Sequence, residues 1–247
     1  MKLQITKGSL LLGFATLGCA GASAQRGPET PRLVQGESAR AIGIVRVHAP
    51  WYVPRFAIVG KFRDAVPEYE RLANLESKYF TITDERFFGG IYVWHSRADA
   101  DGYYGPAWRE GIRERRGVDP ELLVLDAPFV IEGTTTLGGH PIGERGFRSP
   151  ATSTLVVWQA PDPKAASLLA ANLTRRTTGH LVRAYVVTVG ADRVGFIGLW
   201  PAFCDASAAT SPAHLAELSS GFATGAPEVT HFDTPVMIDD AIRAGRK

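Results

Sequence analysis

The stretch Gly89-Gly90-Ile91-Tyr92-Val93-Trp94 returns in altered form as Gly195-Phe196-Ile197-Gly198-Leu199-Trp200, 106 residues later. Both stretches begin with Gly, carry Ile at the third position and end with Trp. Further matches lie at the same offset or one residue beyond it: Tyr79 with Tyr185, Asp99-Ala100 with Asp205-Ala206, Pro106-Ala107 with Pro212-Ala213, and Asp126-Ala127-Pro128 with Asp233-Thr234-Pro235. Matches in the same order at nearly constant spacing indicate an internal duplication.

Each copy shows the same order of predicted elements. The first copy has β-branched or alternating runs at 42–48, 75–83, 87–94 and 121–130, which predict strands, with helical spacing at 54–66 and again after Gly105-Pro106. The second copy has strands at 154–158, 181–189, 194–200 and 228–238, and helices at 163–177 and after Ser211-Pro212. The order β-α-β-β-α-β is a ferredoxin-like unit, which covers one face of its sheet with helices.

This pattern predicts an α+β fold in which two tandem ferredoxin-like repeats, residues 41–132 and 153–240, form a pseudo-dimeric α/β barrel. Two such units can bury their bare sheet faces against each other. The remaining segments are an N-terminal extension at 25–40, a linker rich in Gly, Thr and Pro at 133–152, and a tail at 241–247.

The N-terminus has the three parts of an export signal at residues 1–24. Lys2 and Lys7 are followed by the ten apolar or small residues 8–17 and by the cleavage site Ala22-Ser23-Ala24. The apolar run is too short for a membrane span. A buried N-terminal helix is the alternative interpretation, and Thr16-Leu17-Gly18-Cys19 is an imperfect lipoprotein site. We therefore expect an exported protein, periplasmic or secreted, with lipidation of Cys19 the less favoured route.

The charge balance argues against a nucleic-acid or anionic-membrane partner. The whole chain has a formal net charge of +2, from 27 Lys and Arg against 25 Asp and Glu. Cleavage after Ala24 removes Lys2 and Lys7, which leaves 25 against 25 and a net charge of zero. A neutral chain without a basic stripe lacks the electrostatic footprint of such binders.

The first repeat resembles the YdhR-like branch of the dimeric α/β-barrel superfamily, whose members are often named as monooxygenases. The resemblance rests on Lys78-Tyr79-Phe80, on Gly89-Gly90-Ile91-Tyr92-Val93-Trp94, on Gly105-Pro106-Ala107-Trp108 and on a Gly117…Pro120-Glu121 lead into the last strand. It covers most of residues 41–132, and the second repeat is fainter. The chain would then be a tandem fusion of two such units.

The resemblance implies a small-molecule enzyme, either a cofactor-independent monooxygenase or a related proton-transfer enzyme, acting on a hydrophobic or aromatic metabolite. The superfamily also contains haem-degrading oxygenases, isomerases, cyclases and proteins without known activity, because a fold does not fix a function. A non-catalytic periplasmic protein that binds a small molecule or haem is therefore the alternative. Oligomerisation is possible but not required.

The candidate site residues are concentrated in the first repeat. His48 ends the first strand beside an aromatic loop and is the candidate base, and Tyr92 is the candidate hydroxyl group. The expected aromatic walls of the substrate site are Trp51, Tyr52, Tyr79, Trp94, Tyr104 and Trp108. The competing interpretations are a surface or hydrogen-bonded His48, and core packing for Tyr92 and Trp94.

No metal or cofactor motif is present. The chain has no H-x-H, H-E-x-x-H, Walker or dinucleotide-binding pattern, so we expect no metal and no cofactor. Haem is the exception to consider, because some haem-degrading members carry a helical His and His214 lies in the second helical stretch of repeat two. An exposed histidine is the alternative there. Asp126 and Asp233 recur in both copies, which indicates a structural role such as loop capping.

Overall fold

The computed structural model describes residues 24–26, 30–34, 39–137, 151–177, 180–201 and 203–239. The predicted signal peptide up to residue 23, Cys19 within it, the middle of the linker and the tail lie outside these residues. Within the described residues, no helix is long and apolar enough to cross a membrane.

The element order of the first half follows the predicted one closely. Its elements are β1 (Ala24–Arg26), β2 (Arg32–Val34), β3 (Arg40–His48), α1 (Arg55–Tyr69), β4 (Leu75–Ile82), β5 (Phe87–Trp94), α2 (Arg97–Tyr103), α3 (Pro106–Arg116), β6 (Glu121–Glu132) and β7 (Thr135–Leu137). The second half contains β8 (Ala151–Gln159), α4 (Ala165–Arg176), β9 (Arg183–Val189), β10 (Arg193–Trp200), α5 (Phe203–Ala209), α6 (Pro212–Leu218) and β11 (Thr224–Asp239).

The long strands form a closed antiparallel barrel. In the described part of the chain the order around the barrel is β6-β3-β5-β4-β11-β8-β10-β9, and β9 pairs back onto β6. The eight strands therefore leave no open edge among themselves, which removes the exposed hydrogen-bonding groups of an open sheet. Strand β2 lies outside the barrel on β6, and β1 pairs with β7 in a separate small sheet.

The repeated Asp-x-Pro motif marks two corners of the barrel. Strand β6 pairs with β3 from Glu121 to Ala127 and with β9 from Asp126 to Glu132, and its register with β9 shifts between Asp126 and Phe129. Strand β11 passes from β8 to β4 with a shift between Asp233 and Val236. A proline, which has no N–H to donate, fits such a β-bulge. The expectation that these aspartates cap loops is therefore wrong: they lie in strands and pair with Arg97 and Arg55.

Among the described residues, the fully buried hydrophobic side chains of the barrel interior come from strands. Its core includes Ile42, Tyr79, Ile91, Tyr185 and Ile197, all fully buried. The helices pack on the outside, so each strand has a face toward the interior and a face toward a helical layer.

Glycines recur in both halves where two strands approach closely. A Cβ on Gly89 would stand 2.0 Å from the carbonyl oxygen of Val45, and one on Gly195 would stand 2.1 Å from that of Val156. No side chain fits at such distances, because the clash is with the backbone of a paired strand. This contact accounts for the glycine that begins both copies of the six-residue stretch.

Candidate functional site

A cavity of about 500 Å³ lies between the outer face of the barrel in the first half and the helices α1 and α3. Strands β3, β4 and β5 form its floor, and α1 and α3 form its walls. Most of its lining is apolar or aromatic, from Val45, Val47, Ala49, Pro50, Val53, Ala57, Ile58, Phe62, Ala65, Phe80, Phe88, Trp108 and Ile112. A concave, mainly apolar space with a few polar groups is what a small-molecule site requires.

Tyr92 lies in the floor of the cavity and is buried. Its hydroxyl donates to the hydroxyl of Tyr69 on α1 at 3.4 Å, and its ring is parallel to that of Trp94 at a centroid distance of 6.3 Å. Burial raises the pKa of Tyr92 well above 10, and the neighbouring Tyr69 adds to this effect. Tyr92 therefore presents a neutral hydroxyl group to the cavity.

Lys78 also lines the cavity, although in the sequence it stands out only as part of the Lys78-Tyr79-Phe80 motif. Its side chain is 2% exposed, and its Nζ lies 2.8 Å from the ring centre of Tyr69 and 4.3 Å from that of Tyr92. Burial lowers the pKa of Lys78 well below 10.5, and the negative charge of Glu68 opposes this shift more weakly. The sequence signal that could have identified Lys78 as a site residue is a lysine within an otherwise apolar strand, on the same strand face as Phe80.

Gly90 makes room for this lysine. Strands β4 and β5 are paired so that Lys78 stands opposite Tyr92 and Phe80 stands opposite Gly90. A Cβ on Gly90 would lie 3.2 Å from Cε of Lys78 and 3.3 Å from the ring of Tyr92. The missing side chain thus allows the lysine to extend along the cavity floor.

His48 and Tyr52 lie at the rim of the cavity. His48 ends β3, is exposed, and meets the edge of Phe87 at a ring distance of 5.4 Å. Tyr52 is 69% exposed and lines the same rim. Trp51 is 84% exposed and packs against Tyr52 without lining the cavity.

Besides Trp51, three further predicted wall residues do not line the cavity. Trp94 and Tyr104 are buried beside Tyr92, where the Trp94 indole N–H donates to the Tyr104 hydroxyl at 3.4 Å. Tyr79 points into the barrel, away from the helices. The cavity thus brings together His48, Tyr52, Tyr92 and Trp108, and leaves Trp51, Tyr79, Trp94 and Tyr104 outside its lining.

Tyr79 belongs to a buried polar network at the centre of the barrel. Its hydroxyl lies 3.2 Å from the hydroxyl of Tyr185, the residue that matches it 106 positions later, and 3.2 Å from the Asp239 carboxylate. Arg183 donates to Asp239 at 2.8 Å and to Glu132 at 2.9 Å. Because this network pairs opposite charges inside the barrel, we assign Tyr79 a structural role there and not a role in the cavity.

His214 does not line the cavity described above. It is half-buried on α6, and its Nε2 is buried without a hydrogen-bond partner. Neither the large cavity nor a second one of about 250 Å³ beside Arg46 and Glu121 reaches it. The described residues contain no group of three potential metal ligands.

Comparison with known proteins shows the fold. No protein-family model and no curated protein matches the chain. Among solved structures, a "Putative monooxygenase" of Fusobacterium nucleatum is similar at 4% identity and a TM-score of 0.54, over 83% of this chain and 96% of that one. An "anthrone oxidase-like protein" is similar at 12% identity and a TM-score of 0.52, over 84% and 96%. The chain therefore shares the barrel fold of these two structures.

Proposed function

We propose that this chain is a small-molecule enzyme that binds a flat hydrophobic or aromatic metabolite in the cavity between α1, α3 and the barrel. The reaction is a cofactor-independent oxygenation by dioxygen or a related proton transfer. The observation that carries the proposal is the aromatic-walled cavity with Tyr92 in its floor and His48 at its rim. The names of the two structures of similar fold support the oxygenation.

The proposed oxygenation converts an activated CH₂ group into a carbonyl group. A base removes a proton from the carbon, the carbanion passes electrons to dioxygen, one oxygen atom stays on the carbon and the other leaves as water. The CH₂ carbon is oxidised and the dioxygen is reduced, so no further reductant is needed. His48 is the proposed base. The neutral Tyr92 hydroxyl, whose single proton is directed at Tyr69 in the structure, would turn that proton to the oxygen on which negative charge develops.

We also propose the finer assignments of organisation and location. The order β3-α1-β4-β5-α2-α3-β6 is followed by β8-α4-β9-β10-α5-α6-β11, and this supports a tandem duplication of a YdhR-like unit. The resemblance of the first repeat supports the same branch. Residues 1–24 support export to the periplasm or beyond, with the mature chain starting near Gln25. Intact-mass measurement of exported protein tests the start, and a diacylated Cys19 would contradict it.

The test of the function is oxygen uptake with a panel of anthrones, naphthols and other flat aromatic compounds, followed by mass spectrometry of products made under ¹⁸O₂. We expect one ¹⁸O atom per product molecule. His48→Ala should lower kcat by about 100-fold, which is a typical contribution of a general base. Gln159→Ala is the matched control, because Gln159 occupies the equivalent exposed strand end in the second half. Unchanged turnover in His48→Ala would remove His48 from the mechanism.

One observation favours the alternative, a non-catalytic binding protein. Among the described residues, none hydrogen-bonds the His48 ring to orient it, whereas catalytic histidines are generally oriented in this way. Tight binding of an aromatic probe with no oxygen uptake across the panel would support the alternative. The ultraviolet–visible spectrum of the purified protein distinguishes the enzyme and the aromatic-binding protein from a haem-binding protein, since a Soret band would indicate haem. We expect none.

A further inference from the structure

Lys78 is a buried cation that forms no ion pair with a carboxylate, and Glu68 acts on it only from beyond ion-pair distance. Arg40 pairs with Glu76, Arg55 with Asp233, and Arg183 with Glu132 and Asp239. Lys78 is 2% exposed, and across the described residues no Asp or Glu forms an ion pair with it. A buried charge without a partner costs free energy, so such a group normally has a functional reason.

All the charged residues that line the cavity are basic. Lys61, Lys78, Arg115 and Arg116 line it together with His48, and no Asp or Glu is among the lining residues that the structure describes. Arg115 and Arg116 form no ion pair within the described ranges, whereas Arg113 on the same helix pairs with Glu110 and Asp119. Arg113, which does not line the cavity, is therefore neutralised by carboxylates, whereas Arg115 and Arg116, which line it, are not.

From this arrangement we propose that the ligand is a hydrophobic or aromatic molecule carrying an anionic oxygen group, and that Lys78 Nζ binds this group. The inference rests on the proposed function for the location of the site, and it names the substrate class. The ligand would supply the negative charge that the lining lacks, while its apolar body lies against Ile58, Phe62 and Trp108.

The inner position of Lys78 favours it over the arginines as the binding group. Arg115, Arg116 and Lys61 are exposed, so water and salt screen their charges. Lys78 lies on the floor beside the Tyr92 and Tyr69 rings, where a charge-assisted hydrogen bond is stronger than in water. The exposed cations would attract the anion to the entrance, and Lys78 would hold it.

The groups that face Lys78 set the pH dependence of this binding. From α1 these are Glu68, Tyr69 and Lys61; from α3, Arg115 and Arg116; and from the strands, Tyr92 and His48. Burial holds the pKa of Lys78 below 10.5, so the ammonium form is lost earlier on raising the pH than for an exposed lysine. We therefore expect anion affinity to fall as the pH rises toward 10.5, while the affinity for a neutral analogue stays constant.

The test compares 2-naphthoate with 2-naphthamide, which have the same ring system and nearly the same shape but differ in charge. Isothermal titration of the full chain with each probe gives the two Kd values. We expect wild type to prefer naphthoate by at least about tenfold, and Lys78→Met to abolish that preference. Lys164→Met is the control, since Lys164 is an exposed lysine before α4 in the second half.

The outcomes separate this inference from the proposed function. Equal affinity of wild type for naphthoate and naphthamide, or a preference that survives in Lys78→Met, would overturn the inference while leaving an aromatic cavity in place. Binding of neither probe by wild type would overturn the proposed function and the inference with it. Lys78→Arg is a second variant, which keeps the positive charge but changes the shape of the side chain. If this variant retains the preference for naphthoate, the charge of residue 78 is the cause of that preference.

Discussion

The two helical layers of this protein cover equivalent strands in different ways. Over the second half, Trp158, Phe196, Trp200 and Phe222 form one continuous core with α4, α5 and α6. Over the first half, the corresponding space contains the cavity of about 500 Å³. The same barrel thus supports one closed layer and one open layer.

A few substitutions between the halves produce this difference. Phe196 stands where the first half has Gly90, and Trp158 stands where it has Val47. At Gly198, which matches Tyr92, the space is taken by Trp200, whose indole nitrogen lies 2.8 Å from the place of a Cβ. Ala184 replaces Lys78. The large side chains fill the second layer, and Gly90 in the first layer leaves room for the Lys78 side chain along the cavity floor.

The helices follow the same division. Helix α4 buries Leu169, Leu173 and Asn172, and the Asn172 amide donates to the carbonyl of Leu218 at 2.9 Å, which fastens α4 to α6. Helix α1 buries only Phe62 and Val66. A site needs space and adaptable walls, so the layer with less burial is the one available for function.

The largest expected effect comes from opening the closed layer. Trp158→Ala should lower the free energy of unfolding by about 3–5 kcal/mol, because a fully buried indole leaves a cavity that the packed surroundings cannot fill. Val47→Ala, at the matching position of the open layer, should cost only about 1–2 kcal/mol. Urea denaturation measures both. Equal losses would contradict the difference in packing between the layers.

Removing the unpaired lysine should stabilise the open layer. Lys78→Met keeps the length of the side chain and eliminates the cost of burying an ammonium group, so we expect a gain of about 1–3 kcal/mol in the ligand-free protein. The same variant loses the naphthoate preference. Thermal unfolding with and without naphthoate checks both halves of this prediction, and a destabilised variant that still binds naphthoate would contradict them.

The pH dependence of stability tests whether the folded protein disfavours the charged form of Lys78. Because burial lowers the pKa of Lys78, the unfolded chain binds more protons than the folded chain between the lowered pKa and 10.5. The stability of wild type relative to Lys78→Met should therefore rise as the pH increases through that range. Paired denaturation curves at several alkaline pH values measure the difference. A difference that falls with increasing pH would show that the folded state prefers the charged lysine.

The smallest expected effect on stability is that of Tyr92→Phe. The variant removes one hydroxyl whose hydrogen bond to Tyr69 is 3.4 Å long, so the loss should be about 1 kcal/mol or less. Turnover, in contrast, should fall clearly if the hydroxyl stabilises developing charge. Thr154→Val, which removes the acceptor of the Trp200 indole N–H in the closed layer, is the matched structural control. Its turnover should not change.

Much of the fold was predictable because it repeats locally. The strands at 87–94 and 75–82 and their partners in the second half begin and end within a few residues of the predicted limits, since alternation of side chains is a local property. The structural role of the two Asp-x-Pro motifs, as corners of the barrel, was not predictable. The sequence shows the recurrence, but the change of neighbour along β6 and β11 exists only when the barrel closes.

The candidate site was predictable only in part, and for a related reason. Strand alternation correctly places Gly90, Tyr92 and Trp94 on one face of β5 and Ile91 and Val93 on the other. It does not say which aromatic residue lies against a ligand space and which lies behind another ring, so Tyr92 lines the cavity while Trp94 and Tyr104 do not. Lys78 was part of a quoted motif, yet its lack of a carboxylate partner depends on helices far away in the chain.

The sequence by itself determined the order of elements, the recurring glycines, the positions of the aromatic residues and the near-equality of charges, because these follow from composition and local periodicity. Only the tertiary structure decided that Tyr79 meets Tyr185 inside the barrel at 3.2 Å, that one helical layer is filled and the other open, and that the cations at the open layer face a cavity without carboxylates. The physical reason is that packing and charge pairing depend on which residues from distant segments come together, and closure of the barrel alone sets those neighbours.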